Sequence, residues 1–312
     1  MIVINLILAV VFLLVLLKSA DYAIKYSSRL AKILNFPEFI VSFFIIAIIS
    51  VLPEATISII AAINGDPGLG FGTLLGSNVA DLTLVFGIVA LFSSRGIKVK
   101  SKILQNNLFY LILLLFPLIL GFDGKFSRTD GLILILAGVI FFVRIYMQRA
   151  RFKKKFNNSP PGSLLKSSIF LILSLGILLA SAFFTVKYST NFAIDAKIPE
   201  ILIGVTVLAL GTCLPELAFS IKAVKKNHDE LALGDILGTV ITDATILLGI
   251  VALISPFEYN PLNIYIVGGA MALAGIFAML FMKSDKTISK IEGLLLILFY
   301  IIFVFVEFFI NR

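Results

Sequence analysis

The sequence of 312 residues is poor in the residues that soluble proteins use on their surfaces. Charged residues make up only 14% of the chain, whereas hydrophobic residues make up 60%. Because soluble domains are about 45–50% apolar, this composition excludes a soluble globular protein and predicts a protein integral to a membrane. A single cysteine, Cys213, excludes an internal disulfide bond.

Histidine is nearly absent, which limits the chemistry that the chain can support. The single histidine, His228, precedes Asp229 and Glu230 in a predicted loop, where we expect a solvated residue rather than a ligand. Zinc and copper sites need imidazole or thiolate groups. The chain contains no His-Glu-x-x-His motif, no Ser-His pair and no Asp-rich prenyl-phosphate motif, and its glycine-rich segment 68–72 lacks the spacing of a nucleotide loop. We therefore predict no enzyme, no catalytic residue and no bound cofactor.

Long apolar segments dominate what is present. A helix needs about 17–25 predominantly apolar residues to cross a bilayer, and ten segments of the chain have this character. The sequence therefore predicts an all-α membrane protein with ten transmembrane helices. The predicted spans are 2–20, 38–63, 70–93, 104–121, 130–148, 165–183, 199–224, 231–255, 262–282 and 291–309.

Basic residues concentrate in the connections that follow odd-numbered spans, as in the segment from Arg149 to Lys155. Because positively charged connections stay in the cytoplasm, we expect the odd connections to be cytoplasmic and both termini to be extracellular, in a cell membrane. We therefore attribute the net charge of +8 to the orientation of the protein in the membrane. We expect contact with membrane lipid rather than nucleic acid, and no protein partner can be inferred.

The second half of the sequence repeats the first at an offset of 162 residues, the separation of Glu54 from Glu216. The register holds without a gap over residues 19–93. Each half contains five spans, an odd number, so the second half enters the membrane in the opposite sense. Inverted repeats of this kind are typical of secondary transporters. The predicted units are a first five-helix repeat at 1–148, a basic cytoplasmic linker at 149–164 and a second, inverted five-helix repeat at 165–312.

A proline and a glutamate stand side by side within one span of each half, as Pro53-Glu54 and Pro215-Glu216. Proline has no N–H group, so it breaks the helix and frees main-chain oxygens. Within a membrane, such oxygens need a partner inside the protein or a water-filled cavity, and a bound cation is one such partner. A lone proline would indicate only a kink, and a lone acid only a structural hydrogen bond. Their joint recurrence at one offset favours a site.

Helical spacing places further oxygen groups beside the two glutamates. A hydroxyl lies four residues before each glutamate, and another lies four residues before an aspartate in spans 3 and 8, so each pair shares a helix face. Carboxylates and hydroxyls suit hard cations such as Ca²⁺, which takes about 6–8 oxygen ligands. The predicted metal ligands are Ser50, Glu54, Ser77, Asp81, Thr212, Glu216, Thr239 and Asp243.

Other features of these spans receive a structural interpretation. The Gly72/Gly76 and Gly234/Gly238 spacings predict close helix packing. We interpret Cys213 as a small packing residue, and Asp235 as a charge at the mouth of the site or a helix-end cap.

The proline-glutamate and glycine-hydroxyl motifs of both halves resemble the α-repeats of the cation/Ca²⁺ exchanger superfamily, most closely those of prokaryotic sodium/calcium exchangers. The motifs are Leu52-Pro53-Glu54 with Gly76-Ser77, and Gly211-Thr212-Cys213-Leu214-Pro215-Glu216 with Gly238-Thr239. The resemblance covers nearly the whole chain. It implies a secondary antiporter that exchanges Ca²⁺ or a similar divalent cation against Na⁺ by alternating access, with Glu54 and Glu216 as central ion ligands. It also implies that helices 1 and 6 slide past stationary site-forming helices.

Three residues depart from the pattern of that superfamily. Val51 cannot coordinate a cation, Cys213 is a poor Na⁺ ligand, and Asp81 stands where the superfamily commonly has asparagine. Four carboxylates close together in a low dielectric repel one another. The alternatives therefore include binding of fewer Na⁺ ions and an H⁺-coupled antiporter in which Asp81 and Asp243 titrate. A passive cation channel is a further alternative, since channels also use rings of acidic residues.

Overall fold

The computed structural model describes residues 2–65, 67–100, 108–148, 163–195, 213–259 and 264–310. Helices account for most of these residues, as the apolar segments predict. In chain order the α-helices are α1 (Ile2–Ile33), α2 (Glu38–Val41), α3 (Ala47–Ser50), α4 (Leu52–Ile63), α5 (Pro67–Ala80), α6 (Phe86–Phe92), α7 (Leu108–Leu120), α8 (Arg128–Met147), α9 (Leu164–Asp195), α10 (Leu214–Lys225), α11 (Asp229–Ile241), α12 (Leu248–Ile254), α13 (Gly269–Lys283) and α14 (Lys290–Ile310).

Short segments of other geometry complete the described chain. A 3₁₀ turn at Gly121–Asp123 follows α7. The π-helical segments are π1 (Ser42–Ile46), π2 (Asp81–Val85), π3 (Thr242–Leu247) and π4 (Ile264–Gly268). The strands are β1 (Ile97–Lys98), β2 (Lys125–Phe126), β3 (Phe257–Glu258) and β4 (Thr287–Ile288).

Six described helices are long and apolar enough to cross a membrane, and the bent pair Glu38–Ser50 and Leu52–Ile63 raises the number to seven. Some of the ten predicted spans do not meet this standard. The predicted span 104–121 corresponds to a shorter apolar helix, Leu108–Asp123, and the predicted span 199–224 lies partly outside the described residues. The protein is a multi-pass helical membrane protein.

Two helical rods form the centre of the molecule. In the most apolar stretch of each rod, 78% of the residues are buried for α5, π2 and α6, and 83% are buried for α11, π3 and α12. In contrast, only 17% of the residues are buried in the corresponding stretch of α1 and 28% in that of α8, and both helices expose large apolar side chains. Since a lipid-facing surface is apolar and a site needs shelter from lipid, the two central rods are the elements that can carry polar side chains.

The connections gather in two groups at opposite ends of the described helices. β1 pairs with β4 in an antiparallel ladder, and β2 pairs with β3. Arg95, close to β1, forms an ion pair with Asp229 at 2.9 Å, which brings the third and seventh predicted connections together. The third, seventh and ninth connections are therefore neighbours in the structure.

Local structures recur at the 162-residue offset. The main-chain N–H of Ser127 donates to Asp130 at the start of α8, and that of Ser289 donates to Glu292 at the start of α14, at 2.8 and 2.7 Å. Two helix crossings also correspond. A Cβ on Gly87 would lie 2.6 Å from the Gly293 carbonyl oxygen, and a Cβ on Gly249 would lie 2.6 Å from that of Gly131. The repetition in the sequence therefore extends to caps and helix contacts.

Candidate cation site

The first predicted proline break is present in the structure. α3 ends at Ser50 and α4 begins at Leu52, and the chain bends by 45° between them. Val51 occupies the break, and Pro53 lies in the first turn of α4, where its missing N–H group is tolerated. Glu54 therefore stands at the N-terminal end of a helix, buried to 1% exposure. This position suits a carboxylate, because the helix dipole is positive there.

The helix that carries Glu216 starts with the same local geometry as α4. Cys213 precedes α10 with φ −86° and ψ 4°, close to the φ −72° and ψ −7° of Val51. Glu216 lies in the first turn of α10 and is also 1% exposed. Thr212, the predicted hydroxyl ligand of this half, lies outside the described residues.

The two aspartates begin the π-helical segments of the central rods. Asp81 is the first residue of π2, and Asp243 is the second residue of π3. Both side chains are buried, with exposures of 1% and 0%. π-Helical segments are rare and often occur at functional sites, since they insert one extra residue into a turn and re-aim the side chains around it.

Hydrogen bonds connect hydroxyls of the first half with acidic residues of the second half. Ser77 Oγ donates to Asp243 Oδ2 at 3.2 Å. Ser50 Oγ donates to Asp235 Oδ1 at 2.8 Å and lies 3.4 Å from Thr239 Oγ1. The polar centre is therefore shared between the two halves.

The acidic side chains repel one another. Glu54 interacts electrostatically with Asp243 and Asp81, and Glu216 interacts with Glu54, Asp81 and Asp235. Within the part of the chain that the structure describes, none of these five carboxylates forms an ion pair with a lysine or arginine. Several negative charges buried together cost free energy unless protons or cations offset them.

Several carboxylate oxygens in this centre have no hydrogen-bond partner among the described residues. Leaving such an atom buried and unsatisfied costs about 1–3 kcal/mol. The atoms are Glu54 Oε2, Asp81 Oδ1, both Glu216 carboxylate oxygens, Asp235 Oδ2 and Asp243 Oδ1. Oxygens with free lone pairs are what a hard cation binds, so the donor set fits a Ca²⁺-like substrate.

The described side chains do not form a finished coordination shell. Among them, no three or more Asp, Glu, His or Cys side chains lie close enough to hold one metal ion together. The structure thus brings Glu54, Asp81, Glu216 and Asp243 within electrostatic range. Binding of one ion by all of them would require side-chain rotation.

Comparison with known proteins identifies the family. The family model described as sodium/calcium exchanger protein matches residues 4–147 and again residues 166–309. The chain belongs to the sodium/calcium exchanger family. The two matches begin 162 residues apart, as the internal repeat requires. Because this family consists of transporters, it agrees with the absence of enzyme motifs.

Individual relatives cover nearly the whole of this exchanger-family chain. The inner membrane protein YrbG of Escherichia coli is 32% identical over 303 residues, which are 93% of this chain and 92% of that protein. The sodium/calcium exchanger MaX1 of Methanosarcina acetivorans is 27% identical over 355 residues, covering 99% and 100%. A solved structure of the sodium-calcium exchanger NCX_Mj, soaked with Na⁺ and Sr²⁺, superposes with a TM-score of 0.82 at 27% identity, covering 97% of this chain and 98% of that one.

Seven of the eight predicted ligands fall within the described residues of this family member, and all seven are buried. Their environments differ. Ser50 and Thr239 lie together near Asp235, whereas Ser77 lies beside Asp243. Their role as ion ligands remains a proposal.

For two residues of the centre, the structure differs from the interpretation based on sequence or adds to it. Asp235 is neither a mouth charge nor a helix-end cap, because it lies in the middle of α11 with 0% exposure and accepts a hydrogen bond from Ser50. Its place within the Gly234–Gly238 spacing was the signal that could have revealed it. Cys213 is buried, as a packing residue would be, but its side chain also hydrogen-bonds to Asp81.

The expectation of a solvated His228 was wrong. Its side chain is 19% exposed, and Nδ1 lies 2.7 Å from Glu38 Oε1. Glu38 also accepts a hydrogen bond from Ser28 Oγ at 2.9 Å. The neighbouring Asp229 and Glu230 are buried as well. The connection before α11 packs against the start of α2, which sequence spacing alone does not show.

Proposed function

We propose that this protein is a secondary antiporter that exchanges Ca²⁺, or a similar hard divalent cation, against Na⁺ by alternating access. The observation that carries the proposal is the set of buried carboxylate oxygens that have no hydrogen-bond partner among the described residues and come from both halves of the chain. Similarity to the sodium/calcium exchangers MaX1 and NCX_Mj supports the choice of ions.

In the proposed site, Glu54 and Glu216 are the central ligands. Each lies in the first turn of a helix, so its carboxylate meets the positive end of a helix dipole. Asp81 and Asp243 add charge at the π-helical segments. Hydroxyls complete the predicted set: Ser50, Ser77, Thr212 and Thr239.

The proposed architecture is ten spans in two inverted five-helix repeats, 1–148 and 165–312, with a basic linker at 149–164. Recurrence of caps and glycine crossings at the 162-residue offset supports the duplication. Contacts between the odd connections support their location on one side of the membrane. The positive charge of these connections favours a cytoplasmic location for that side, and both termini would then lie outside the cell. We infer membrane lipid and transported cations as the binding partners, with no resident cofactor.

Uptake of ⁴⁵Ca²⁺ into proteoliposomes tests this function. Vesicles loaded with Na⁺ should accumulate ⁴⁵Ca²⁺, and Glu54→Gln and Glu216→Gln should each reduce the uptake by at least about 100-fold, because each removes a charged ligand at the centre. Asp123→Asn is the matched control, since Asp123 is exposed in a connection. Retained exchange in both glutamate variants would show that the ligands are assigned wrongly.

Proton coupling is the second candidate, favoured by five buried carboxylates that repel one another and form no ion pair with a lysine or arginine in the described part of the chain. In that case Asp81 and Asp243 would exchange protons for the divalent cation. Uptake driven by a pH gradient in Na⁺-free vesicles would support it, whereas uptake that depends on Na⁺ and ignores the pH gradient would exclude it. Stimulation of efflux by Ca²⁺ on the opposite side would separate either carrier from a passive channel.

A further inference from the structure

Asp235 is a buried carboxylate that the ligand set predicted from the repeats does not include. It lies at the centre of α11, where every residue from Asp229 to Ile241 is buried. Its repeat counterpart at the 162-residue offset is Thr73, so the acid is present in one half only. The duplicated pattern therefore gives Asp235 no symmetric role.

Close packing of α11 fixes the position of Asp235. A Cβ on Gly234 would lie 2.6 Å from the Phe39 carbonyl oxygen, and a Cβ on Gly238 would lie 2.6 Å from Ala47 Cβ. The main chain of α11 thus lies directly against α2 and α3. Because Asp235 and Thr239 are one helical turn apart, both project from α11 toward the same neighbour.

The neighbour that both residues reach is Ser50, the last residue before the break at Val51. Ser50 Oγ donates to Asp235 Oδ1 at 2.8 Å and lies 3.4 Å from Thr239 Oγ1. The second oxygen, Asp235 Oδ2, is buried and has no partner among the described residues. Asp81 and Glu216 repel Asp235, and no described basic side chain forms an ion pair with it. A purely structural hydrogen bond would use a serine or asparagine at lower cost.

We propose that Asp235, Ser50 and Thr239 form a subsite for a monovalent hard cation, Na⁺ in the first instance, beside the site for the divalent cation. One carboxylate and two hydroxyls carry a single negative charge, which one monovalent ion balances, whereas the four carboxylates of the central site carry more charge than a monovalent ion can offset. The choice of Na⁺ rests on the proposed function.

The subsite would couple the two ions because it shares two hydroxyls with the divalent-cation site. When Ser50 and Thr239 coordinate Na⁺ beside Asp235, their oxygens are not available to Ca²⁺. Binding of one ion then disfavours binding of the other, and by linkage the effect is equal in both directions. Val51, in the break next to Ser50, has no hydroxyl that could bind Na⁺. Asp235 would supply an oxygen ligand close to this position.

Isothermal titration of purified protein with NaCl and, separately, with CaCl₂ tests the subsite without any need for transport. Asp235→Asn keeps the side-chain shape and should raise the Kd for Na⁺ at least about tenfold, while the Kd for Ca²⁺ changes less than about threefold. Thr239→Val, which replaces a hydroxyl with a methyl group of similar shape, should weaken the binding of both ions, because the two sites share the Thr239 hydroxyl. Asp123→Asn is the control, because the same substitution at an exposed acid should leave both values unchanged.

Either of two results would overturn the subsite: Na⁺ binding that is unaffected by Asp235→Asn, or equal weakening of both ions by that substitution. If Asp235→Asn fails to fold, as judged by its melting temperature in detergent, Asp235→Thr, which installs the residue found at the repeat counterpart Thr73, is tested by the same two criteria. The proposed function fails separately. Wild-type protein that binds Na⁺ through Asp235 but does not move ⁴⁵Ca²⁺ would retain the subsite and remove the exchange of Ca²⁺.

Discussion

Ser77 and Asp243 join the two halves of the chain through a hydrogen bond of 3.2 Å, although 166 residues separate them. At the 162-residue offset, Ser77 corresponds to Thr239 and Asp243 corresponds to Asp81. The bond thus pairs the hydroxyl of one repeat with the carboxylate of the other. It orients an acidic side chain whose other oxygen, Oδ1, has no partner among the described residues.

Removal of this bond tests whether it positions a ligand. Ser77→Ala should raise the half-saturating Ca²⁺ concentration about tenfold, since a hydrogen bond to a charged group contributes about 1.5–3 kcal/mol. Initial rates of ⁴⁵Ca²⁺ uptake over a range of Ca²⁺ concentrations measure the change. Ser174→Ala is the matched control, because Ser174 is also buried but donates only to the Leu171 carbonyl in α9. Equal effects of the two substitutions would argue against a role for Ser77 in the site.

Substitution of Gly234 should lower the stability of the protein. Gly234→Ala would place a methyl group 2.6 Å from the Phe39 carbonyl oxygen and 2.8 Å from Ser42 Cβ. Since main chain cannot yield as a flexible side chain does, we expect a loss of about 1–3 kcal/mol, seen as a lower melting temperature in detergent.

Gly176→Ala in α9 is the control for that experiment. No described atom lies within 4 Å of a Cβ built there, and alanine is a better helix former than glycine by up to about 1 kcal/mol. This variant should melt at the wild-type temperature or above it. A Gly234→Ala protein as stable as Gly176→Ala would contradict the close packing of α11.

Much of this architecture follows from the sequence because the membrane penalises most alternatives. Apolar length predicts helices, and the recurrence of Pro53-Glu54 at Pro215-Glu216 predicts two breaks with buried acids at their ends. The break at Val51 and the helix start after Cys213 agree with that prediction. Composition and spacing act locally, so they predict local features well.

Contacts between distant segments were beyond the reach of the sequence. Asp235 was interpreted as a mouth charge or a helix-end cap because it stands near the start of the predicted span 231–255, and spacing along one helix does not show which neighbour it faces. The same limit explains His228, which is only partly exposed because it packs against Glu38, 190 residues away in the sequence. The π-helical geometry at Asp81 also depends on packing, since no residue type specifies it.

An ion pair connects α1 with α10 and should contribute little to stability. Asp21 carboxylate oxygens lie 2.8 Å from Lys226 Nζ and 3.4 Å from Lys222 Nζ, and all three side chains are partly exposed. A double-mutant cycle with Asp21→Asn and Lys226→Gln should give a coupling free energy of about 0.2–1 kcal/mol that decreases at high salt. The more exposed pair of Asp123 and Lys125, at 3.8 Å, should give a smaller value. A salt-independent coupling well above that range would show that the pair is shielded from water.

Substitution of Val51 should strengthen Na⁺ binding rather than weaken it. Val51 is 3% exposed at the break beside Ser50, and Val51→Ser would add a hydroxyl oxygen there. We expect the half-saturating Na⁺ concentration for exchange to fall about two- to fivefold, in keeping with the net contribution of one polar contact. Val41→Ser is the control for burial of a hydroxyl, since Val41 is 1% exposed in α2. If Val51→Ser leaves the Na⁺ dependence unchanged, the break does not limit Na⁺ binding.

Substitution of Asp81 should change the affinity for Ca²⁺ relative to the affinity for Na⁺. Asp81→Asn removes one of the carboxylates that interact with Glu54 and Glu216. The Coulomb attraction of a carboxylate for Ca²⁺ is twice that for Na⁺ at the same distance, so the Kd for Ca²⁺ should rise more than the Kd for Na⁺. Lower Na⁺ concentrations should then release bound ⁴⁵Ca²⁺ from the variant than from the wild-type protein. Asp130→Asn, at a helix cap outside the site, should not change this competition. If instead the variant loses only uptake driven by a pH gradient, Asp81 carries the counter-ion proton, and the exchanger is coupled to H⁺ rather than to Na⁺.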